Sequence, residues 1–183
     1  MDGTFIEWYS SCMSQPAHIP IFNLFGETTA FPDVVHCESV LDRAGLHGWV
    51  ISPHRHTQMA QVFQISTGAA KVTLDGMERQ LGPSQYLYIP PQIVHGFEFT
   101  KGTEGTVLSI PSPVVARLGP KTAALDNWLG SSQHGALSEG AGGLLSSVVV
   151  TYGSNGNFRA QRLVSLTHAL LAVLADESTA NAA

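Results

Sequence analysis

The chain has 183 residues, 14 acidic against 9 basic, a formal charge of −5 and 44% hydrophobic side chains. That length suits one domain with a real core, while so few Lys and Arg exclude the dense basic patch that direct gripping of nucleic acid requires. The longest apolar tract, residues 163–175, is interrupted by Ser165, Thr167 and His168 and falls short of the ~20 residues that span a bilayer, so no membrane partner is expected.

Cys12 and Cys37 have no recurring spacing, and the start MDGTFIEWYS lacks the basic-then-apolar layout of an export signal, which makes a cytoplasmic location the expectation. Residues 1–18 read as an N-terminal arm. Its Phe5, Trp8 and Tyr9 suit either a cover over a neighbouring cavity or a disordered tail. From residue 19 to about 112 the texture is that of strands, with short runs rich in Val, Ile, Phe and Tyr separated by Gly, Pro or Asp-Gly. Asp75-Gly76, between residues 70–74 and MERQL, is the strongest hairpin signal. SQYLYIPP and IVHGFEF add two more strands. The expected fold is mainly β, an antiparallel sandwich or barrel followed by C-terminal helices, since closure removes exposed edges.

Residues 113–183 change character. PKTAALDNWL, 120–129, predicts a short helix with Pro120 at its first position and Gly130 as its stop. GSSQHGALSEGAGG, with five glycines, reads as a flexible connection. Residues 144–152 and 158–176 are expected to be helical. In the second, Leu163, Leu166, Leu170 and Val173 recur at 3-4-3 spacing, widened by Leu171 and Leu174. The stripe suits packing on the barrel and pairing with a second subunit equally well, because two heptads are too short to decide.

Chemistry concentrates in the histidines. Alternate side chains of a strand share a face, so His54 and His56 point together while Arg55 points away. His95 follows 39 residues after His56, at the start of a strand that a barrel can lay beside the first. Three neutral imidazoles with an open position suit a divalent metal, Zn²⁺ first, with Ni²⁺, Fe²⁺ and Mn²⁺ also accommodated. Gln61 either coordinates through its amide oxygen or hydrogen-bonds a ligand or neighbouring His. No serine sits on a nucleophile elbow, and GAGG has no preceding strand to make it a phosphate cradle.

Gly48, His54-x-His56, Gln61 and Gly68, followed by Pro90-x-Gln92-x-x-His95, resemble the paired signature of the cupin superfamily. Gln61 stands where cupin enzymes usually carry a Glu ligand, Gln92 where glycine is usual, and Phe99 where Asn is usual. IPIFNLFGE, VVHCESVLDRAGLHGWVISPHRH, LDG and IPPQIVHGFEF are in turn similar to the N-terminal sensing domain of AraC/XylS-type transcription regulators, notably the 4-hydroxybenzoate-responsive subgroup. The resemblance covers residues 19–176. It implies a cupin-like ligand-binding barrel over 19–112, a helical dimerisation segment over 113–183, and DNA contact only through a C-terminal helix-turn-helix module absent from this sequence. It implies no enzymatic activity; the competing expectation is a free-standing metal-dependent cupin dioxygenase or isomerase.

Three neutral imidazoles leave a divalent charge uncompensated in a low-dielectric barrel, so an anion such as an aromatic acid is welcome there. Trp49, Phe63, Tyr86, Tyr88, Phe97 and Phe99 are candidate walls for a flat ring. Arg43 is a candidate clamp for a carboxylate, and His36 lies in the same stretch.

Overall fold

The structure is a computed structural model that describes residues 19–22 and 33–180. The expected arm over 1–18, with Phe5, Trp8 and Tyr9, lies outside the described residues. The chain runs through β1 (His36–Ser39), α1 (Val40–Leu46), β2 (Val50–His54), β3 (Met59–Thr67), β4 (Ala70–Leu74), β5 (Met77–Leu81), β6 (Gln85–Ile89), β7 (His95–Phe99) and β8 (Glu104–Pro111). The remaining elements are α2 (Ser112–Ala116), α3 (Ala123–Leu129), β9 (Gln133–Ala136), α4 (Glu139–Tyr152) and α5 (Arg159–Ala180). The strands form two antiparallel sheets, ordered β1-β8-β3-β6-β9 and β2-β7-β4-β5.

The larger sheet is covered on both faces, and β3 shows how one sequence serves both. Its Phe63 and Ile65 join the core between the sheets, while Ala60 and Val62 join a second core beneath the helices. A strand buried on both sides loses the polar alternation of an exposed one, hence the nearly continuous MAQVFQI. In the smaller sheet, Asp75 and Gly76 both adopt positive φ, 44° and 84°. That is the twist a two-residue hairpin needs, and it joins β4 to β5 at the Leu74–Met77 pair. Gly68, at φ 81°, closes the β3–β4 turn so tightly that a Cβ would run into the Thr103 hydroxyl. Gln92 holds φ 75° where the resembled signature has glycine, and its N–H donates to the His56 carbonyl at 2.7 Å.

Three sequence expectations are corrected. The strand texture of 19–112 hides a helix, α1, started by Ser39, whose Oγ accepts from the Asp42 N–H. The helix expected from Pro120 begins at Ala123 instead, because Thr122 supplies the cap by accepting from the Leu125 N–H. The Gly-rich connection is not irregular throughout: it holds β9, paired with β6, and the first turn of α4. Ser138 caps that turn at Ala141 N–H and also donates to Glu177 on α5 at 2.6 Å.

Of the two explanations for the leucine stripe, packing on the barrel is the one realised. Leu163, Leu170, Leu171 and Leu174 are fully enclosed within this chain, and Leu166 and Val173 pack against the same cluster. Among the described residues no helix is long and apolar enough to cross a membrane.

Candidate metal and ligand site

The three histidines come from two neighbouring strands of the smaller sheet and the turn beyond. His54 and His95 are cross-strand partners on β2 and β7, and His56 follows two residues on. All three are buried, and their candidate ligand atoms lie within 4.8 Å of one another. In each ring Nδ1 faces a carbonyl: Ser52 at 2.9 Å for His54, Phe22 at 2.7 Å for His56 and Ile93 at 2.9 Å for His95. A carbonyl only accepts, so Nδ1 carries the hydrogen and Nε2 keeps its lone pair for the shared space. Residues 19–22 thereby join the site, since Ile21 bridges to Arg55 and the Phe22 ring lies 5.0 Å from that of His54.

Among the described residues His95 Nε2 is buried without a hydrogen-bond partner, and such a group in an interior calls for a ligand or an ion; Gln61 lies beside His56. Two nitrogens on one Zn²⁺ at ~2.1 Å each are at most ~4.2 Å apart, so the set needs only a small inward rotation to hold a divalent ion. Gln61 donates its amide to Ser109 Oγ at 3.1 Å, which leaves its oxygen as the group facing the site.

Burial keeps these rings neutral. It pushes His56 down to about 4 and His95, with help from the neighbouring His54, down to about 3, from an ordinary 6.5; His54 is lowered as well, chiefly by burial. The unfolded chain therefore binds more protons than the folded one as pH falls below 6.5. Glu38 opposes this, because burial raises its carboxyl from 4.5 to about 7, so the folded state holds the extra proton there. The lowered histidines, His36 and His134 included, outnumber the one raised carboxyl, so unfolding is linked to net uptake of at least about one proton. Between pH 6.5 and 4.5 the metal-free protein should lose ~1.4 kcal/mol of stability per pH unit, read from denaturant melts; stability flat or rising towards acid would contradict the assignment.

The cavity beside the histidines is narrow, about 20 Å³ in volume, and is lined by His54, His56, Gln61, Phe63, Phe97 and Phe99 among others. Arg43 also lines it, its Nε 3.9 Å from Glu38 Oε1. The sequence reading missed Glu38, Val40 and Ala44, which β1 and α1 bring to the wall; the Ser39 cap was the available signal.

Four expected ligand contacts are not among the lining residues. Tyr86 and Tyr88 face the helices, because β6 pairs Tyr88 with Val62, whose side chain is on that face. Their hydroxyls are satisfied there, Tyr86 with Ser178 Oγ at 2.7 Å and Tyr88 donating to the Leu129 carbonyl at 3.0 Å. Tyr88 also stacks on Trp128 at 4.8 Å. Trp49 sits in the α1–β2 turn at φ 70° and packs against the edge of the inner core. His36 shares a 2.7 Å hydrogen bond with the Tyr152 hydroxyl of α4.

Residues 46–111 match the model of the Cupin domain family. A comparison with curated protein sequences returns no match. Among solved structures, a single-site variant of apo ToxT from Vibrio cholerae strain SCE256 aligns with 79% of this chain and 56% of its own, at 11% identity and TM-score 0.51. Unsaturated fatty acid bound wild-type ToxT from the same strain aligns with 79% of this chain and 55% of its own, at 9% identity and TM-score 0.50. KdgF from Halomonas sp. is 28% identical over 34% of this chain and 57% of its own, with TM-score 0.33. The chain thus spans little more than half the length of these structures. At such identities the ToxT likeness establishes fold, a cupin-like antiparallel barrel followed by helices.

Proposed function

We propose that this chain is the effector-sensing part of an AraC/XylS-type transcription regulator, whose barrel takes a small aromatic acid such as 4-hydroxybenzoate beside a divalent metal held by His54, His56 and His95. The observation that carries the reading is the convergence, among the described residues, of three neutral imidazoles on one enclosed spot with no carboxylate beside them. A bound Zn²⁺ would supply a positive pole there, and an organic anion is the natural complement to a charge its protein ligands do not neutralise. One structure that shares the fold holds an unsaturated fatty acid, also an organic acid with an apolar body. The site binds rather than transforms its guest on this reading, since Gln61 replaces the acidic ligand and spends its amide on Ser109.

A sensor must couple occupancy to shape, with different ligand affinity in two arrangements. The contacts between β1 and the helices fit that role. Asp33 pairs with Arg159 at 2.5 Å, Arg159 donates to the Tyr152 carbonyl at 2.6 Å, and Tyr152 reaches His36 on β1. We assign DNA contact to a further helix-turn-helix module and homodimerisation to the helical part, through the exposed Val149, Val150 and Phe158 rather than the buried stripe. The protein works in the cytoplasm on this reading.

Metal analysis followed by calorimetric titration with 4-hydroxybenzoate and neutral 4-hydroxybenzamide tests the proposal. Stoichiometric metal, tighter binding of the acid and recovery of unchanged ligand are expected. Oxygen consumption or a new product would transfer the site to the enzyme reading.

A further inference from the structure

The larger sheet ends at β9, with no further strand beyond it among the described residues. Register shows which backbone groups this edge leaves over. The Leu137 N–H donates to the Ser84 carbonyl at 2.8 Å, in line with the β6–β9 pairs Tyr86↔Gly135 and Tyr88↔Gln133. Bonded pairs alternate with unbonded ones along an antiparallel ladder, so His134 and Ala136 turn their N–H and C=O groups away from β6. Among the described residues neither makes a backbone hydrogen bond on that side. Alongside runs a groove of about 690 Å³ whose lining includes Arg79, Tyr86, His134, Gly135, Glu177 and Ser178. It reaches both faces of the strand. His134, paired with the inward-facing Leu87, has its Nε2 3.3 Å from Arg79 Nη1. Gly135 shares the helix-side face with Tyr86, beside Glu177 and Ser178 of α5. The missing side chain at Gly135 leaves room there, since a Cβ would stand 3.4 Å from the Tyr86 ring.

We propose that the β9 edge docks an extended protein segment as an added strand, one that carries an acidic side chain next to a basic one. His134 and Ala136 each offer it an N–H and a C=O, and main-chain bonds of this kind give affinity while side chains on alternate faces give selectivity. Neighbouring residues of the segment point to opposite faces. The one beside His134 meets Arg79, and the next, beside Gly135, meets Glu177, which accepts from Ser138 Oγ at 2.6 Å. Neither Arg79 nor Glu177 belongs to an ion pair among the described residues. An acidic residue followed by a basic one answers both. A second copy of β9 does not, because the two-fold axis of antiparallel self-pairing stands normal to the sheet and keeps each face with itself. It would set Arg79 against Arg79 and Glu177 against Glu177, and like charges across a strand pair destabilise it.

The test is fluorescence anisotropy of a fluorescein-labelled peptide, Thr-Val-Glu-Lys-Val-Thr, titrated with the protein. Saturable binding is expected. The same peptide N-methylated at its glutamate amide should bind the unaltered protein at least about tenfold more weakly, and so should the unmodified peptide bind the Ala136→Pro variant. Each change deletes one edge N–H, and proline is tolerated where an edge N–H faces solvent; melting curves confirm that the variant folds. Thr-Val-Ala-Ala-Val-Thr should bind about fivefold more weakly, the scale of two exposed ion pairs. Arg79→Glu should weaken the original peptide and favour Thr-Val-Lys-Lys-Val-Thr instead. Absence of saturable binding, or binding indifferent to both N-methylation and Ala136→Pro, overturns the proposal. Displacement of the label by free glutamate as readily as by unlabelled peptide would make the groove a small-molecule pocket. A dilution-sensitive dimer abolished by Ala136→Pro would give the edge to a second copy, and either result overturns the proposal as well.

Discussion

Replacing His95 with alanine is expected to remove divalent-metal binding and the thermal stabilisation that metal confers, while leaving a folded barrel. His95 is the ring whose Nε2 is, among the described residues, buried without a partner, and its Nδ1 is committed to the Ile93 carbonyl, so it has one free valence and that valence faces His54 and His56. Losing one of three ligands leaves two imidazoles, which should weaken binding by more than the ~10–100-fold that disturbing a ligand's outer hydrogen-bond partner costs. With free Zn²⁺ at ~100 times the dissociation constant, the unaltered protein should gain ~2.7 kcal/mol of stability. His95→Ala should gain almost none. Metal content after gel filtration and melting curves with and without Zn²⁺ read both effects; a variant with undiminished metal and an undiminished shift would mean that these imidazoles are structural. The variant should also flatten the acid limb of the stability curve, because it deletes the most strongly lowered of the buried histidines.

The histidine cluster was legible because part of its spacing is local. His54 and His56 are two residues apart, so local spacing brings them together, whereas His95 reaches them through the pairing of β2 with β7, which the paired cupin-like signature pointed to and strand alternation alone does not. The ligand walls were less legible, since alternation says which residues share a face but not which face looks inward. For β7 the histidine gave the answer, and Phe97 and Phe99 followed it into the cavity. For β6 no such marker exists; pairing with β3 turned Tyr86 and Tyr88 towards the helices, where Ser178 and the Leu129 carbonyl satisfy hydroxyls that the apolar inner core would have left bare. Glu38 and α1 escaped because VLDRAGL is too short for a helical period to stand out among strands, and its cap is a single serine.

The helical layer supplies the second large effect. Leu170→Ala should destabilise the chain by ~2–5 kcal/mol, the cost of emptying a fully buried leucine site, and the loss should be independent of protein concentration. Leu170 has no exposed surface within a single chain, packed between the larger sheet and the neighbouring helix in the same cluster as Val62, Tyr88 and Leu145. A stripe that paired subunits would behave differently, because its contribution would fade on dilution as the dimer dissociates. Urea melts at two concentrations a hundredfold apart separate the cases, and a midpoint that falls with dilution in parallel with the Leu170→Ala loss would return the stripe to an interface. Val150→Ser is the matched comparison on the opposite side of the layer. Val150 is 71% exposed, so its replacement should change monomer stability by less than ~0.5 kcal/mol and act on association instead. The two substitutions thus divide the helical part into a face that holds the barrel and a face left exposed. On the proposed regulator reading, that separation is what a ligand-driven shift carried through Arg159 and Tyr152 would need in order to alter subunit geometry without unfolding the core.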